Sequence, residues 1–263
     1  MDIFFMKKNI IYIFLLLLCV ACQSGISFEQ IEYKKEFSLK EGKDSPKFHY
    51  SANILWANGG TPELNKWLLN SAGIPYAKSK NAVKDSINMY VEREYADYVE
   101  YNIDMDDSTP SFLMSWSIDN YCSITYQCPE YISIIAGFDR NQGGEHGIVS
   151  NTKRSWSLQE NRVITFDDIF KRGKEDVIRP KLMRELMLYW NFISFKEVNN
   201  VLDYKPLPIL DFALAKDSID FFYPYYTIAP RVYGEPTLRI AAKEIAPALT
   251  DLGKKLLHVD ISM

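Results

Sequence analysis

The spacing of apolar residues changes period several times along this chain, and that alternation constrains the fold more than any motif. Thr61-Pro62-Glu63 reads as a helix start, with an N-cap, a proline at the first helical position and an acid at the positive end of the dipole. Leu64, Trp67 and Leu68 follow on one face, and Gly73 stops the run. Between about 81 and 101, Val83, Ile87, Tyr90, Val91 and Tyr98 form a second stripe at helical spacing. Residues 106–110 break the pattern, and period-two alternation takes over at 112–118, continuing to 126, and again at 131–138. Strands at 153–158 and 162–166, joined at Gln159-Glu160-Asn161, precede a helix over 176–190 with Ile178, Leu182, Leu186 and Tyr189 inward. The last third gives strands at 209–215, 218–223 and 237–241 and a closing helix over 243–257. Helix followed by antiparallel strands, twice over, predicts an α+β protein with helices packed on antiparallel sheets in two interlocked subdomains, not a doubly wound sheet.

Composition supports a packed core and excludes several partners. Across 263 residues, 47% are hydrophobic and 14% aromatic, which rules out disorder for most of the chain. Thirty basic groups against 34 acidic ones leave a net −4, the wrong sign for gripping phosphate backbones, so no nucleic-acid partner is expected.

The N-terminus carries an address. Lys7 and Lys8 precede an apolar run over 10–21, too short for the roughly 20 residues that span a bilayer but suited to a signal-peptide core. The run ends Leu18-Cys19-Val20-Ala21-Cys22, with a small residue before Cys22, and we expect residues 1–21 to be a lipoprotein signal peptide and Cys22 the lipidated residue. Removing 1–21 takes Asp2, Lys7 and Lys8 with it and leaves 28 basic against 33 acidic groups, a net −5. The expected location is the cell envelope, lipid-anchored and facing the periplasm, with the outer membrane favoured. Multiple acyl chains anchor firmly, and the partner at this end is the membrane itself.

An oxidising compartment makes Cys122 and Cys128 the candidate disulfide. A bridge needs Cα atoms within about 7 Å, whereas six extended residues span roughly 20 Å, so the pair closes only if the chain folds back between them. If 122–138 is instead one long hairpin, Cys122 faces the second strand near Ile135 and the two thiols stay apart. His49, His146 and His258 are dispersed and form no metal motif, and neither a nucleophile elbow nor a phosphate loop occurs, so no metal, cofactor or catalytic residue is expected. Acid–base candidates are limited to Glu145 with His146 and the Asp167, Asp168 pair; the acids at 104–107 and 167–168 read as a solvated loop and a helix start. Trp67 and Tyr95 read as core rather than as ligand aromatics.

Phe221-Phe-Tyr-Pro-Tyr-Tyr226, followed by Pro230, Tyr233 and Pro236, is the one segment with the chemistry of a recognition surface. Tyrosine offers large area and a hydroxyl at small entropic cost, and prolines stiffen a loop. Tyr223, Tyr225, Tyr226 and Tyr233 are the expected exposed ligand-binding residues.

Three segments resemble an envelope family: Gly143-Gly-Glu-His-Gly147, with three glycines in five residues; Val163-Ile-Thr-Phe-Asp-Asp-Ile-Phe170; and, most specific, Ser218-Ile-Asp-Phe-Phe-Tyr-Pro-Tyr-Tyr-Thr-Ile-Ala-Pro230. The chain is similar here to the RsiV-like family, named for a lysozyme-sensing anti-sigma ectodomain, which usually follows a domain shared with peptidoglycan deacetylase C (PdaC/SigV-like). The resemblance spans about 33–257. It implies a tether and first strand over 22–47, a PdaC/SigV-like subdomain over 48–142 and an RsiV-like subdomain over 143–263. It implies no enzymatic activity, and a lysozyme-like protein or a peptidoglycan fragment as ligand. The sensing protein's membrane helix has no counterpart, so cleavage-driven signalling is not implied.

Overall fold

The computed structural model describes residues 25–41, 45–105, 109–143 and 147–259. Cys22 and the expected signal peptide lie outside the described residues, as do Glu145 and His146. No helix among the described residues is long and apolar enough to cross a membrane.

The fold is α+β, built on a mixed six-stranded sheet in the order β1 (Ser27–Ser38), β2 (Lys47–Asn58), β3 (Trp116–Gln127), β4 (Tyr131–Asn141), β5 (Ile148–Ser157), β6 (Arg162–Val163). Helices α1 (Pro62–Ser71) and α2 (Lys80–Asn102), followed by the short α3 (Ser111–Met114), connect β2 to β3, and α1 and α2 cover one face of the sheet. Thr61 caps α1 by accepting from the Leu64 N–H at 3.2 Å, and Gly73 ends it at φ +71°, where a side chain would be strained. After β6 come α4 (Phe166–Ile169), α5 (Glu175–Tyr189) and α6 (Phe195–Val201), then a three-stranded antiparallel sheet of β7 (Phe212–Leu214), β8 (Ser218–Phe222) and β9 (Thr237–Ala241), and finally α7 (Asp251–Leu256).

Two hydrophobic cores result. The first lies between the large sheet and α1–α2, around Phe48, Ile54, Leu68, Val91 and Tyr98; the second joins α4–α7 to the small sheet around Phe170, Leu186, Phe221 and Ile240. They are stitched together along β4 and β5. Tyr131 of β4 belongs to the second core and its hydroxyl donates to Ala215 O at 2.9 Å. Ser133 and Ser155, both buried, bond each other at 2.7 Å; Ser133 donates to Leu214 O at 2.6 Å, and the Leu214 N–H donates to Ser155 at 2.8 Å.

Several expectations are corrected. The large sheet is not wholly antiparallel, because β2 pairs parallel to β3, with Phe48 opposite Trp116. A parallel neighbour needs a crossover, which the α1–α2 pair supplies. Strand β2 alternates polar and apolar residues from Lys47 to Ile54 and then runs buried through Ile54–Ala57. Residues 111–114 form the single turn of α3, and β3 starts only at Trp116. The closing helix is two pieces, a 3-10 segment Ala242–Ala248 containing Pro247, then α7. Strands β4 and β5 pair within one sheet, and the two cores meet along them.

Cys122 and Cys128 are both free thiols. Cys122 sits opposite Ala136 in the β3–β4 pairing and belongs to the first core, whereas Cys128 follows the strand and packs against the second. The extended chain between them keeps them on opposite sides of the seam. Burial pushes the Cys122 thiol up to about 12, and the thiolate is the reactive species. A thiol-alkylating reagent at neutral pH is therefore expected to label Cys128 in the folded protein and Cys122 only after denaturation, as read by peptide mass spectrometry; early labelling of Cys122 would contradict its placement.

Candidate functional site

The aromatic segment forms the connection between β8 and β9. Tyr223 N–H donates to Pro236 O at 3.1 Å and closes the neck; beyond it Thr227 N–H donates to Pro224 O at 3.1 Å in a tight turn. Pro230 leads into a 3-10 turn, Arg231–Tyr233, which ends at Gly234 with φ +77°. A Cβ on Gly234 would also lie 3.0 Å from the Tyr189 hydroxyl, so glycine serves both the turn and the approach of α5.

The loop is braced from three sides. Arg231 Nη1 donates to Gly147 O at 2.9 Å and its guanidinium lies 5.1 Å from the Tyr225 ring centroid, within cation–π range. Glu235 accepts from Tyr225 N–H at 3.3 Å and from Asn151 Nδ2 at 2.7 Å. Asn151 in turn bonds the Tyr121 hydroxyl on β3, reaching across β4, where Gly137 has no side chain to obstruct it. The Tyr121 phenol is pushed up to about 12, mainly by burial and also by the negative charges of Glu235 and Asp139. Trp190 Nε1 donates to Tyr233 O at 2.9 Å, with the two rings 5.2 Å apart. Lys153 to Thr237, Asn151 to Glu235 and Gly147 to Arg231 are successive contacts along β5, so the loop runs beside that strand to its far end.

Of the four expected tyrosines, one is exposed. Tyr226 is 65% exposed and adopts φ +61°, an uncommon conformation for a side chain of its size. Tyr225 is half-buried beneath Arg231, and Tyr233 is half-buried against Trp190 and Phe192. Tyr223 contradicts the expectation: it is fully buried in the second core, its hydroxyl donating to Pro208 O at 2.8 Å, with burial raising its pKa. The reason is strand alternation, since Ile219, Phe221 and Tyr223 point the same way. Val232, which sequence reasoning missed, is 86% exposed at the tip. A signal was available, because a Pro230-to-Gly234 turn leaves its middle residue outside.

The carboxylate candidates are engaged structurally. Asp168 completes a capping box with Thr165 at the start of α4 and takes a two-point contact from Arg162 at 2.7 and 2.8 Å. That contact, chiefly, holds its carboxyl well below the usual range. Asp167 faces Arg172 at 2.6 Å. A depressed carboxyl contributes stability above the unfolded value of about 3.9 and loses it as pH falls toward the folded value. Asp168→Asn is expected to lower Tm at pH 7 by a few degrees, with the gap to wild type closing between about pH 4 and pH 2; a gap independent of pH would contradict this reading.

Trp67 stacks near Trp156 at 5.1 Å and Tyr95 lies on Phe37 at 4.1 Å, as core residues do. His49 Nδ1 lies 3.1 Å from Glu36. Among the described residues no group of three or more His, Cys, Asp or Glu side chains could hold a metal.

Residues 167–243 match the family described as "Protein of unknown function (DUF3298)". No curated protein matches the sequence. Two crystal structures of DUF3298 proteins are similar in fold. One, from Bacteroides fragilis NCTC 9343, is 19% identical with a TM-score of 0.74, covering 88% of this chain and 96% of its own. The other, from Pseudomonas aeruginosa PAO1, is 16% identical with a TM-score of 0.57, covering 86% and 95%. The matched family segment contains α5 to β9, and so the whole aromatic loop.

Proposed function

We propose that this chain is a non-catalytic, lipid-anchored protein of the bacterial cell envelope that captures a ligand at the β8–β9 loop. The RsiV-like resemblance of 218–230 and 143–147 favours a lysozyme-like protein or a peptidoglycan fragment as that ligand, and the PdaC/SigV-like resemblance of the preceding residues favours a wall-facing location. The observation that carries the reading is the loop's construction: Tyr226 and Val232 stand in solvent on a backbone fixed by Arg231, Glu235 and Trp190. A pre-ordered display of this kind loses little conformational entropy on binding, which is where loops otherwise lose affinity. Asp167 and Asp168 are occupied by arginines, which favours recognition over acid–base chemistry.

Pull-down by the full-length chain in detergent is the direct test, using egg-white lysozyme and purified muropeptides as separate probes. We expect capture of at least one, reduced about tenfold or more by the double substitution Tyr226→Ala, Val232→Ser, each worth on the order of 1 kcal/mol at an interface. Capture of neither probe above background would overturn the proposal.

A further inference from the structure

The strand register gives the large sheet two distinct ends. Ser27, Asn58, Gln127 and Ser157 lie at one, and Ser38, Trp116, Asn141 and Ile148 at the other. The second end carries a recess of about 490 Å³, within the roughly 300–1,000 Å³ of small-ligand sites. It is separate from the loop tyrosines: its lining comes from the start of β2, from α3, from the start of β3 and from the end of β4.

Three features of that lining point to one ligand chemistry. Phe112, on the single turn of α3, is 69% exposed at the rim and presents an aromatic face. Around it stand neutral hydrogen-bonding groups: the Ser111, Ser115 and Ser117 hydroxyls and the Asn141 amide. Ser115 is held in place, accepting from Lys47 N–H at 3.1 Å and donating to Ser111 O at 2.8 Å. Trp116 also borders the recess; it is 5% exposed, its ring packed 5.5 Å from both Tyr98 and Tyr101. The one lysine of the lining is already paired, Lys47 Nζ lying 2.6 Å from the Glu36 carboxylate, which His49 Nδ1 also approaches at 3.1 Å. Among the described lining residues, an anionic ligand would find no unpaired lysine or arginine.

We propose that this recess is a saccharide subsite taking one or two rings of a neutral, N-acetylated glycan. A pyranose has an apolar C–H face that packs on an aromatic ring and a polar edge of hydroxyl and amide groups, which is the pairing that Phe112 and the serine and asparagine lining offer. Its place suits an extended polymer, because the end of the sheet is open to solvent. If Cys22 anchors the chain, only four residues lie between it and Ser27 at the opposite end. The recess would then face away from the bilayer, about 40 Å along β1 at ~3.4 Å per residue. Only that presentation depends on the anchor; the subsite does not depend on the loop.

The test is titration of the full-length chain in detergent with tetra-N-acetylchitotetraose, read by calorimetry and by tryptophan fluorescence. We expect saturable binding that Phe112→Ala weakens tenfold or more and that Phe112→Tyr retains. Phe112 is exposed, so an unaltered melting curve will separate lost binding from lost folding. Absence of saturable binding by the wild type overturns the subsite, as does binding that Phe112→Ala leaves intact. If Tyr226→Ala abolishes sugar binding while Phe112→Ala does not, the glycan sits on the loop: the subsite fails and the proposed loop function stands. Capture of lysozyme with no chitotetraose binding likewise overturns the subsite and leaves the loop function standing.

Discussion

Gly137→Val is expected to be the most damaging single substitution in the large sheet, lowering stability by on the order of 3–5 kcal/mol and detaching the β8–β9 loop. Gly137 lies in the middle of β4, between Tyr121 of β3 and Asn151 of β5. A Cβ placed there would be 2.0 Å from Ser150 O and 2.9 Å from Asn151 Cα, both backbone atoms that cannot swing aside. The strands would have to separate by more than an ångström, breaking at least two ladder hydrogen bonds at about 1 kcal/mol each and adding the roughly 1–3 kcal/mol of an overpacked site. The loss has a second consequence. Tyr121 reaches Asn151 over the bare glycine, Asn151 positions Glu235, and Glu235 holds Tyr225 N–H. Chemical denaturation will measure the first effect, and proteolysis within 224–236 under native conditions the second. A variant as stable and as protease-resistant as wild type would refute the account.

The second large effect is expected at the seam. Ser155→Ala should cost about 2–4 kcal/mol, far more than a serine hydroxyl at a surface, because it strands the Leu214 N–H and removes one partner of Ser133 in a fully buried site. Ser133→Ala should cost a similar amount through the orphaned Leu214 carbonyl. Since the two hydroxyls serve one another, the double variant should cost clearly less than the sum, and a double-mutant cycle by urea denaturation reads that coupling. Strict additivity would show that the two serines act independently and that the seam is held by the surrounding apolar contacts instead.

Much of the fold was legible where one physical pattern dominates. The Thr61-Pro62-Glu63 start, the α2 stripe and β9 follow from capping and periodicity, and all three are present. Legibility failed where two patterns compete. In β2 the alternation over Lys47–Ile54 gives way to a run buried on both faces over Ile54–Ala57, so two periods meet in one strand. Asp167 and Asp168 read as a helix start and are one, but Thr165 and Phe166, expected at the end of a strand, are its N-cap and first residue, fixed by the capping box. At the candidate site, composition singled out the loop but could not assign faces. Tyr223 and Tyr226 are chemically identical and three residues apart, yet one belongs to strand alternation and the other to a turn with positive φ. The recess at the end of the sheet was invisible in the sequence because its residues come from three separate stretches of chain.

The shared strands also bear on what counts as a unit of this protein. The recognisable family segment, 167–243, supplies its own small sheet but rests that sheet on Tyr131, Ser133 and Ser155, all of them outside it. Any ancestor, fusion or fragment that carried the segment alone would expose a polar, hydrogen-bonding flank that only β4 and β5 satisfy. What must travel together is therefore longer than the stretch that can be recognised, and the boundary of the module runs through the large sheet, not beside it.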